Sequence, residues 1–320
     1  MRTFEATCKI VTPLFMGGAS QQAELRTQSI NGVLRWWFRV AGGSLEDEKR
    51  IFGWAGETSN QGVVRIFIKE PTFQTQPFLS RPRQPGFNYL GFSLRLTSRH
   101  AIPENQRFDL KISFHPKATE DDIKKFFSAL WLAFNLGNFG SRARRGFGAI
   151  KIKEIIEEIK ENKSSITNNC YGLNFVPSGD LENWIKENLE KIKEILKPNP
   201  RTDIPYLFEN FEIYDFKSDN SWQNLLNEVG NEYKNFRQNK RLNDRIILGL
   251  PIIADEKYRM IRRSSPLIFK VINTDENNYT LLIIIIKPNT HKFIFHPDIK
   301  ENVKWDLLTN FVKSIRRIYP

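Results

Sequence analysis

The stretch that most restricts what this chain can fold into begins at Thr119. "TEDD" places an N-cap hydroxyl three residues before a carboxylate, the signature of a capped helix start. Ile123, Phe126, Phe127, Leu130 and Phe134 then recur on one helical face, and Gly137 ends the run. "GNFGSRARRGFGAI", Gly137 to Ile150, carries the chain into "FGAIKIKEI", which reads as a strand. Earlier elements lead up to this unit. "TFEATCKIV" (Thr3 to Val11) is a strand ended by "TP". "SINGVLRWWFRVAGG" is a helix with Ile30, Val33, Leu34, Trp37, Phe38 and Ala41 inward, stopped by Gly42-Gly43. "GVVRIFIKE" is a strand, Pro71 to Gly86 an exposed loop or insertion, and "YLGFSLRLTS" and "RFDLKISFHP" two further strands.

The order strand, helix, strand, strand (with an extra one), helix, strand is that of the split βαβ unit. It predicts an α+β, ferredoxin-like (RRM-like) domain, an antiparallel sheet with two helices on one face. Beyond residue 155 the composition becomes charge-mixed and Asn-rich. "DLENWIKENLEKIKEILKP" is an amphipathic helix capped by Asp180 and stopped by Pro198. A second helix carries Trp222, Leu225, Leu226, Val229, Tyr233 and Phe236 at helical spacing. Strands are expected at "RIILGLPII", "PLIFKVI", "YTLLIIIIK" and "KFIFH", with a closing helix over about Val303 to Ile318. A chain of 320 residues favours two domains. The expectation is two tandem ferredoxin-like domains, 1–155 and 156–320, the second a degenerate copy.

Charge speaks to partners. Lys+Arg 48 against Asp+Glu 36 leaves a net charge of +12, which favours nucleic acid or another anionic surface. Two cysteines, Cys8 and Cys170, lie far apart and outside any C-x-x-C pairing, so a disulfide framework is not expected and a four-cysteine zinc site is excluded. His291 and His296 have a spacing that zinc sites use, but they flank the strand-like "KFIF" with no cysteine pair. The start lacks the pattern of a secretory signal, and "LLIIII" (Leu281 to Ile286) is too short to span a bilayer. A soluble cytoplasmic protein without cofactor, structural metal or membrane partner is expected.

Two places concentrate candidate contacts. On the first helix Arg35 and Arg39 fall side by side opposite the apolar face, and Trp36 lies on the flank. That suits phosphate contact with a base stacked on the indole; the alternative is an indole packed beneath a loop and solvated arginines. In the arginine-glycine loop, Gly140, Gly146 and Gly148 permit close backbone approach by phosphates, and Arg142, Arg144 and Arg145 supply bidentate donors. Phe139 and Phe147 pack inward or stack. Gly17 and Gly18, in "LFMGGAS", offer the same close approach. A P-loop would need G-x-x-x-x-G-K-[ST], which is absent, and "GFG" leads into a strand rather than a helix, so a dinucleotide fold fails too.

A glycine-rich loop after the last helix of a ferredoxin-like domain resembles the RAMP superfamily of CRISPR-associated RNA-binding proteins. "TPLFMGGA", "ELRTQSINGVLRWWFRVAGG" and "GSRARRGFGAI" are similar to the first-subunit family of the type III-B (Cmr) effector complex. In the second half "GLPII" and "RRSSPLIFKV" (Arg262 to Val271) resemble the family's Arg-rich, Ser-Pro-containing segment, which makes Arg262 and Arg263 further phosphate candidates. The resemblance implies a non-catalytic subunit that binds guide RNA (crRNA), target RNA or both in antiviral defence, beside other RAMP subunits. Guide–target pairing would then supply sequence discrimination, leaving the protein to grip backbone and shape. Two alternatives stay open. A metal-independent endoribonuclease would draw on His100 or His115, the only first-half histidines; a pure scaffold would turn its basic loops toward acidic neighbouring subunits.

Overall fold

Thr119 and Asp122 close a reciprocal cap. The threonine hydroxyl accepts from the Asp122 N–H at 3.1 Å, and the Asp122 carboxylate accepts from the Thr119 N–H at 2.9 Å. Such a cap contributes about 1 kcal/mol to the helix it starts. The computed structural model describes residues 1–18, 22–56, 59–69, 73–159, 162–166, 169–199, 205–209, 211–241, 243–249, 264–287 and 305–315.

The chain begins with β1 (Arg2–Ile10), α1 (Thr27–Val40), α2 (Leu45–Phe52) and β2 (Val64–Lys69). Two-residue strands β3 (Gln76–Pro77) and β4 (His100–Ala101) bracket the short helices α3 (Pro85–Leu90) and α4 (Phe92–Leu96). Then come β5 (Arg107–Phe114), the capped α5 (Glu120–Asn135), β6 (Ile150–Ile159) and β7 (Asn162–Ile166). The first sheet has the order β2-β5-β1-β6-β7 with every neighbouring pair antiparallel. Its first four positions are those of a split βαβ unit, so the ferredoxin-like reading holds. Phe4, Ala6, Cys8 and Ile10 of β1 point inward and are fully buried.

After β8 (Asn169–Cys170), β9 (Leu173–Asn174) and α6 (Leu181–Leu196), the second unit runs β10 (Phe211–Asp219), α7 (Trp222–Gln238), β11 (Leu267–Asp275), β12 (Asn278–Ile286) and α8 (Asp306–Ile315). Its sheet has the order β10-β12-β11, again antiparallel. These are the first three strand positions of the same unit, and among the described residues no fourth strand joins them. One sheet face, with Leu267, Phe269, Val271, Leu281, Ile283 and Ile285, packs on α7 and α8. The other, with Ile268, Ile272, Leu282, Ile284 and Ile286, joins the core of the first unit. Burial on both faces explains the unbroken "LLIIII" run.

The same packing buries α5 all round from Phe126 to Asn135, not only on the face its periodicity marks. β6 runs through residue 155, and Cys170, Leu173, Phe175, Trp184, Ile192 and Leu196 pack into the same core as β1 and α5.

Other expectations are corrected. "YLGFSLRLTS" is not a strand but the end of α3 and all of α4. Phe87, Leu90 and Leu94 are the buried residues, at helical spacing. α3 crosses α7 so closely that a Cβ on Gly86 would lie 2.0 Å from the Asn227 carbonyl oxygen. Arg245 to Leu248, the start of the strand expected at "RIILGLPII", lie in a 3-10 turn, Asn243–Leu248. "KFIFH" and residues 250–253 of "RIILGLPII" lie outside the described residues. α2 and β10 were not anticipated.

Candidate functional site

Arg35 and Arg39 project from one side of α1, and both turn onto Glu48 of α2. Arg35 Nε and Nη2 donate to Glu48 Oε1 at 2.9 and 2.8 Å, and Arg39 Nε donates to Oε2 at 2.7 Å. The Glu48 side chain is 0% exposed, while Arg35 and Arg39 retain 23% and 34%. Burial pushes the Glu48 carboxyl up, but the hydrogen bonds and charges of Arg39 and Arg35 outweigh it and hold the group below the usual range. The two arginines thus lock α1 to α2, a role their spacing alone did not indicate.

Trp36 is partly buried, edge-on to Trp37 at 5.0 Å. The Arg144 guanidinium lies over its ring at 4.8 Å, so α1 and the arginine-glycine loop meet at this indole. The loop itself folds back on the segment after β1. Gly140 has φ +79°, and a Cβ there would lie 2.6 Å from the Phe15 carbonyl oxygen. Gly148 has φ +74°, and its Cβ would lie 1.9 Å from the Phe139 carbonyl oxygen. Gly146 fits beneath Leu226 of α7. These glycines admit the protein's own chain. Gly146 and Gly148 are buried, which corrects the expectation that they face a ligand. Phe139 and Phe147 are fully buried core residues.

The three loop arginines diverge. Arg142, at φ +61°, donates through Nε to the Ser93 hydroxyl at 2.8 Å. Arg144 Nη1 donates to the Ser265 carbonyl at 2.6 Å. Arg145 turns inward: Nη2 donates to the Tyr233 hydroxyl at 2.8 Å and the Leu248 carbonyl at 3.3 Å, and the guanidinium lies 4.6 Å from the Tyr233 ring centre. A parallel bridge joins Arg145 to Phe269 of β11. The loop is therefore the seam between the two units, and Arg145 a clasp across it. Arg99, missed in the sequence, reaches the same seam by donating to the Ser141 hydroxyl at 2.6 Å.

Gly17 pairs with Ala23 in an isolated bridge, and Gly18 lies against the Glu24 carboxylate. Arg262 and Arg263 lie outside the described residues. His100 Nδ1 is 3.3 Å from the Thr75 hydroxyl, and His115 Nδ1 accepts from the Lys117 N–H at 3.2 Å. The sheet face turned away from the helices pairs Lys69 with Glu5 and Lys111 with Glu158. Among the described residues no group of His, Cys, Asp or Glu is arranged to hold a metal, and no helix is long and apolar enough to cross a membrane.

Comparison with known proteins agrees with this architecture. The RAMP superfamily model matches residues 7–151, and a Cmr1-like, C-terminal model matches residues 208–320. The CRISPR system Cmr subunit Cmr1-2 of Pyrococcus furiosus is 30% identical over 179 residues, 46% of this chain and 93% of that protein. The chain belongs to the Cmr1 family of the RAMP superfamily. Cmr1-1 of the same organism is 29% identical over 313 residues, 90% of this chain and 87% of that one. The crystal structure of apo Cmr1 from Pyrococcus furiosus superposes with a TM-score of 0.64 at 25% identity, covering 98% of this chain and 97% of the other. A chain of the type III-B Cmr-beta complex bound to cognate target RNA has the same fold, with a TM-score of 0.64 at 15% identity and 98% of each chain covered. The two model matches correspond to the two sheets, and the arginine-glycine loop is the seam between them.

Proposed function

We propose that this Cmr1-family chain is a non-catalytic RNA-binding subunit of a type III-B CRISPR effector complex, holding guide RNA, target RNA or both by the sugar-phosphate backbone. It would act in the cytoplasm, beside other RAMP subunits. The observation that carries the reading is the spread of Arg142, Arg144 and Arg99 along the inter-unit seam, with the Arg144 guanidinium over the half-buried indole of Trp36, in a chain of net charge +12. Guanidinium groups engage phosphate oxygens bidentately, and an indole face or an Arg plane stacks on a base of any identity. Relatives named as Cmr subunits, and a neighbour of like fold in a complex bound to target RNA, support the assignment. The non-catalytic part is supported by the histidines: His100 and His115 stand on separate elements and engage Thr75 and a backbone N–H, with no second catalytic group paired to either among the described residues.

The test is binding of the purified chain to labelled single-stranded RNA over a salt series without metal, with the RNA checked for cleavage. Steeply salt-dependent binding with intact RNA is expected. Cleavage would replace this reading with the endoribonuclease one, and absence of binding at low salt would replace it with the scaffold one.

A further inference from the structure

Arg145 is one member of a larger group. Arg142 from the loop, Arg237 from the end of α7 and Arg245 from the 3-10 turn gather with it around Tyr89 of α3 and Tyr233 of α7. The charges acting on the Tyr89 hydroxyl come from Arg237, Arg145 and Arg245, and those acting on Arg142 from Arg145 and Arg237. The two tyrosine rings lie 6.1 Å apart. No carboxylate of the described residues makes an ion pair with any of these arginines, and none is among the groups acting on Arg145. Four cations in a partly buried cluster repel one another, and burial alone already disfavours the charged form of Arg142 and Arg145.

The hydrogen-bond inventory points the same way. The Tyr233 hydroxyl accepts from Arg145 Nη2 at 2.8 Å and from Arg237 Nη1 at 3.3 Å, while Tyr233 itself is 1% exposed. Both bonds use the oxygen as acceptor, so its own O–H must donate elsewhere, and no acceptor for it exists among the described residues. Among those residues the Arg237 side chain makes no other hydrogen bond, the Arg142 side chain engages only Nε, Arg245 donates through Nε and Nη2 to the Lys240 and Gln238 carbonyls at 3.1 and 3.4 Å, and the Tyr89 hydroxyl has no partner. The free donors of Arg142 and Arg237 and the two tyrosine hydroxyls share one partly buried place with positive charge around them. An acceptor-rich anion satisfies such a set.

We propose that Arg142, Arg145, Arg237 and Arg245, with the hydroxyls of Tyr89 and Tyr233, form a pocket for one phosphate group. In RNA binding, which this step takes from the proposed function, the occupant is a backbone or terminal phosphate of the RNA. The pocket explains why Arg145 is turned inward: it orients the Tyr233 hydroxyl and supplies charge from below, and Arg142, Arg237 and Arg245 close the rim.

The experiment uses the full chain and two readouts. Thermal unfolding is followed in inorganic phosphate against chloride at matched ionic strength, for wild type, Arg237→Gln with Arg245→Gln, and Tyr89→Phe. Affinity for single-stranded RNA is measured over a salt series for the same proteins. Wild type should melt higher in phosphate than in chloride. The double variant should lose that difference and bind RNA about tenfold more weakly, with the log–log salt slope reduced by roughly 0.7 for each phosphate that is no longer neutralised. Tyr89→Phe, which removes one hydroxyl and keeps every charge, should lose part of the phosphate effect even if the double variant does not fold. Phosphate stabilisation lost with RNA affinity unchanged would keep the pocket and assign it a free phosphate. A wild type indifferent to phosphate, or variants that respond as it does, would overturn the pocket, and retained RNA binding would then leave the proposed function standing. Phosphate stabilisation without any RNA binding would do the reverse.

Discussion

Lys270 Nζ lies 2.6 Å from the carbonyl oxygen of Phe134 and 2.7 Å from that of Gly137, so a strand of the second unit caps the last turn of the first unit's central helix. The side chain sits on the face of β11 that carries Ile268 and Ile272 and is 2% exposed. Burial pushes its ammonium down to about 7. In the unfolded chain a lysine titrates near 10.4. Between these values the unfolded state binds more protons than the folded one, so this group's contribution to stability rises with pH from about 7 to about 10. Lys270→Met removes that contribution and leaves two buried carbonyls unpaired. The variant should be less stable than wild type, with a difference that widens from pH 7 to pH 9.5. Unfolding in denaturant at several pH values measures it, and a constant difference would contradict the assignment.

Glu48 holds two guanidinium groups on a carboxylate with no solvent exposure. Glu48→Gln leaves both arginines facing a neutral amide and should destabilise the chain by about 3 kcal/mol. Because the folded Glu48 titrates below its unfolded value, its contribution is present at neutral pH and lost as pH falls through the folded value. The variant should therefore differ from wild type at pH 7 and converge with it in acid. Arg39→Gln should lower thermal stability while leaving the salt dependence of RNA binding unchanged; a flattened slope would make Arg39 a phosphate ligand again.

Gly148 and Gly179 separate backbone strain from crowding. Both have positive φ, +74° and +67°, but a Cβ on Gly148 meets the Phe139 carbonyl at 1.9 Å while one on Gly179 meets nothing within 4 Å. Gly179→Ala should cost about 1 kcal/mol, the left-handed backbone penalty alone. Gly148→Ala should cost about 3 kcal/mol, since the loop must also move off Phe139. Equal costs, measured by chemical denaturation, would show that the loop is not packed as described.

The parts of this fold that were legible in the sequence are those fixed locally. Thr119 and Asp122 announce α5 because a cap is written in four consecutive residues, and β12 is visible because "LLIIII" has no polar break. The short helices α3 and α4 were missed because Tyr89, Leu90 and Phe92 suit a strand equally well. What decides for helix is the contact of Gly86 with α7, which no local pattern encodes. The site was half legible. Glycine and arginine marked the loop, but the destination of each arginine depends on residues far along the chain: Tyr233 stands 88 positions from Arg145. Glu48 was hidden in a helix of mixed charge, where nothing distinguishes a buried carboxylate from a solvated one. Lys270 did leave a trace, as the lone charge in "PLIFKVI", though its partners are carbonyls that the sequence does not show.

In the proposed function the seam between the two sheets grips RNA through its phosphates. The most direct test compares single-stranded RNA binding by wild type and Arg142→Gln from low to moderate salt. The Arg142 side chain ties to the fold through one hydrogen bond, to Ser93, and the backbone bond at its carbonyl survives the substitution, so the variant keeps its structure. A steep linear fall of log affinity with log salt is expected for wild type, and a slope shallower by roughly 0.7 in the variant. Identical slopes, or wild-type binding that ignores salt, would contradict it.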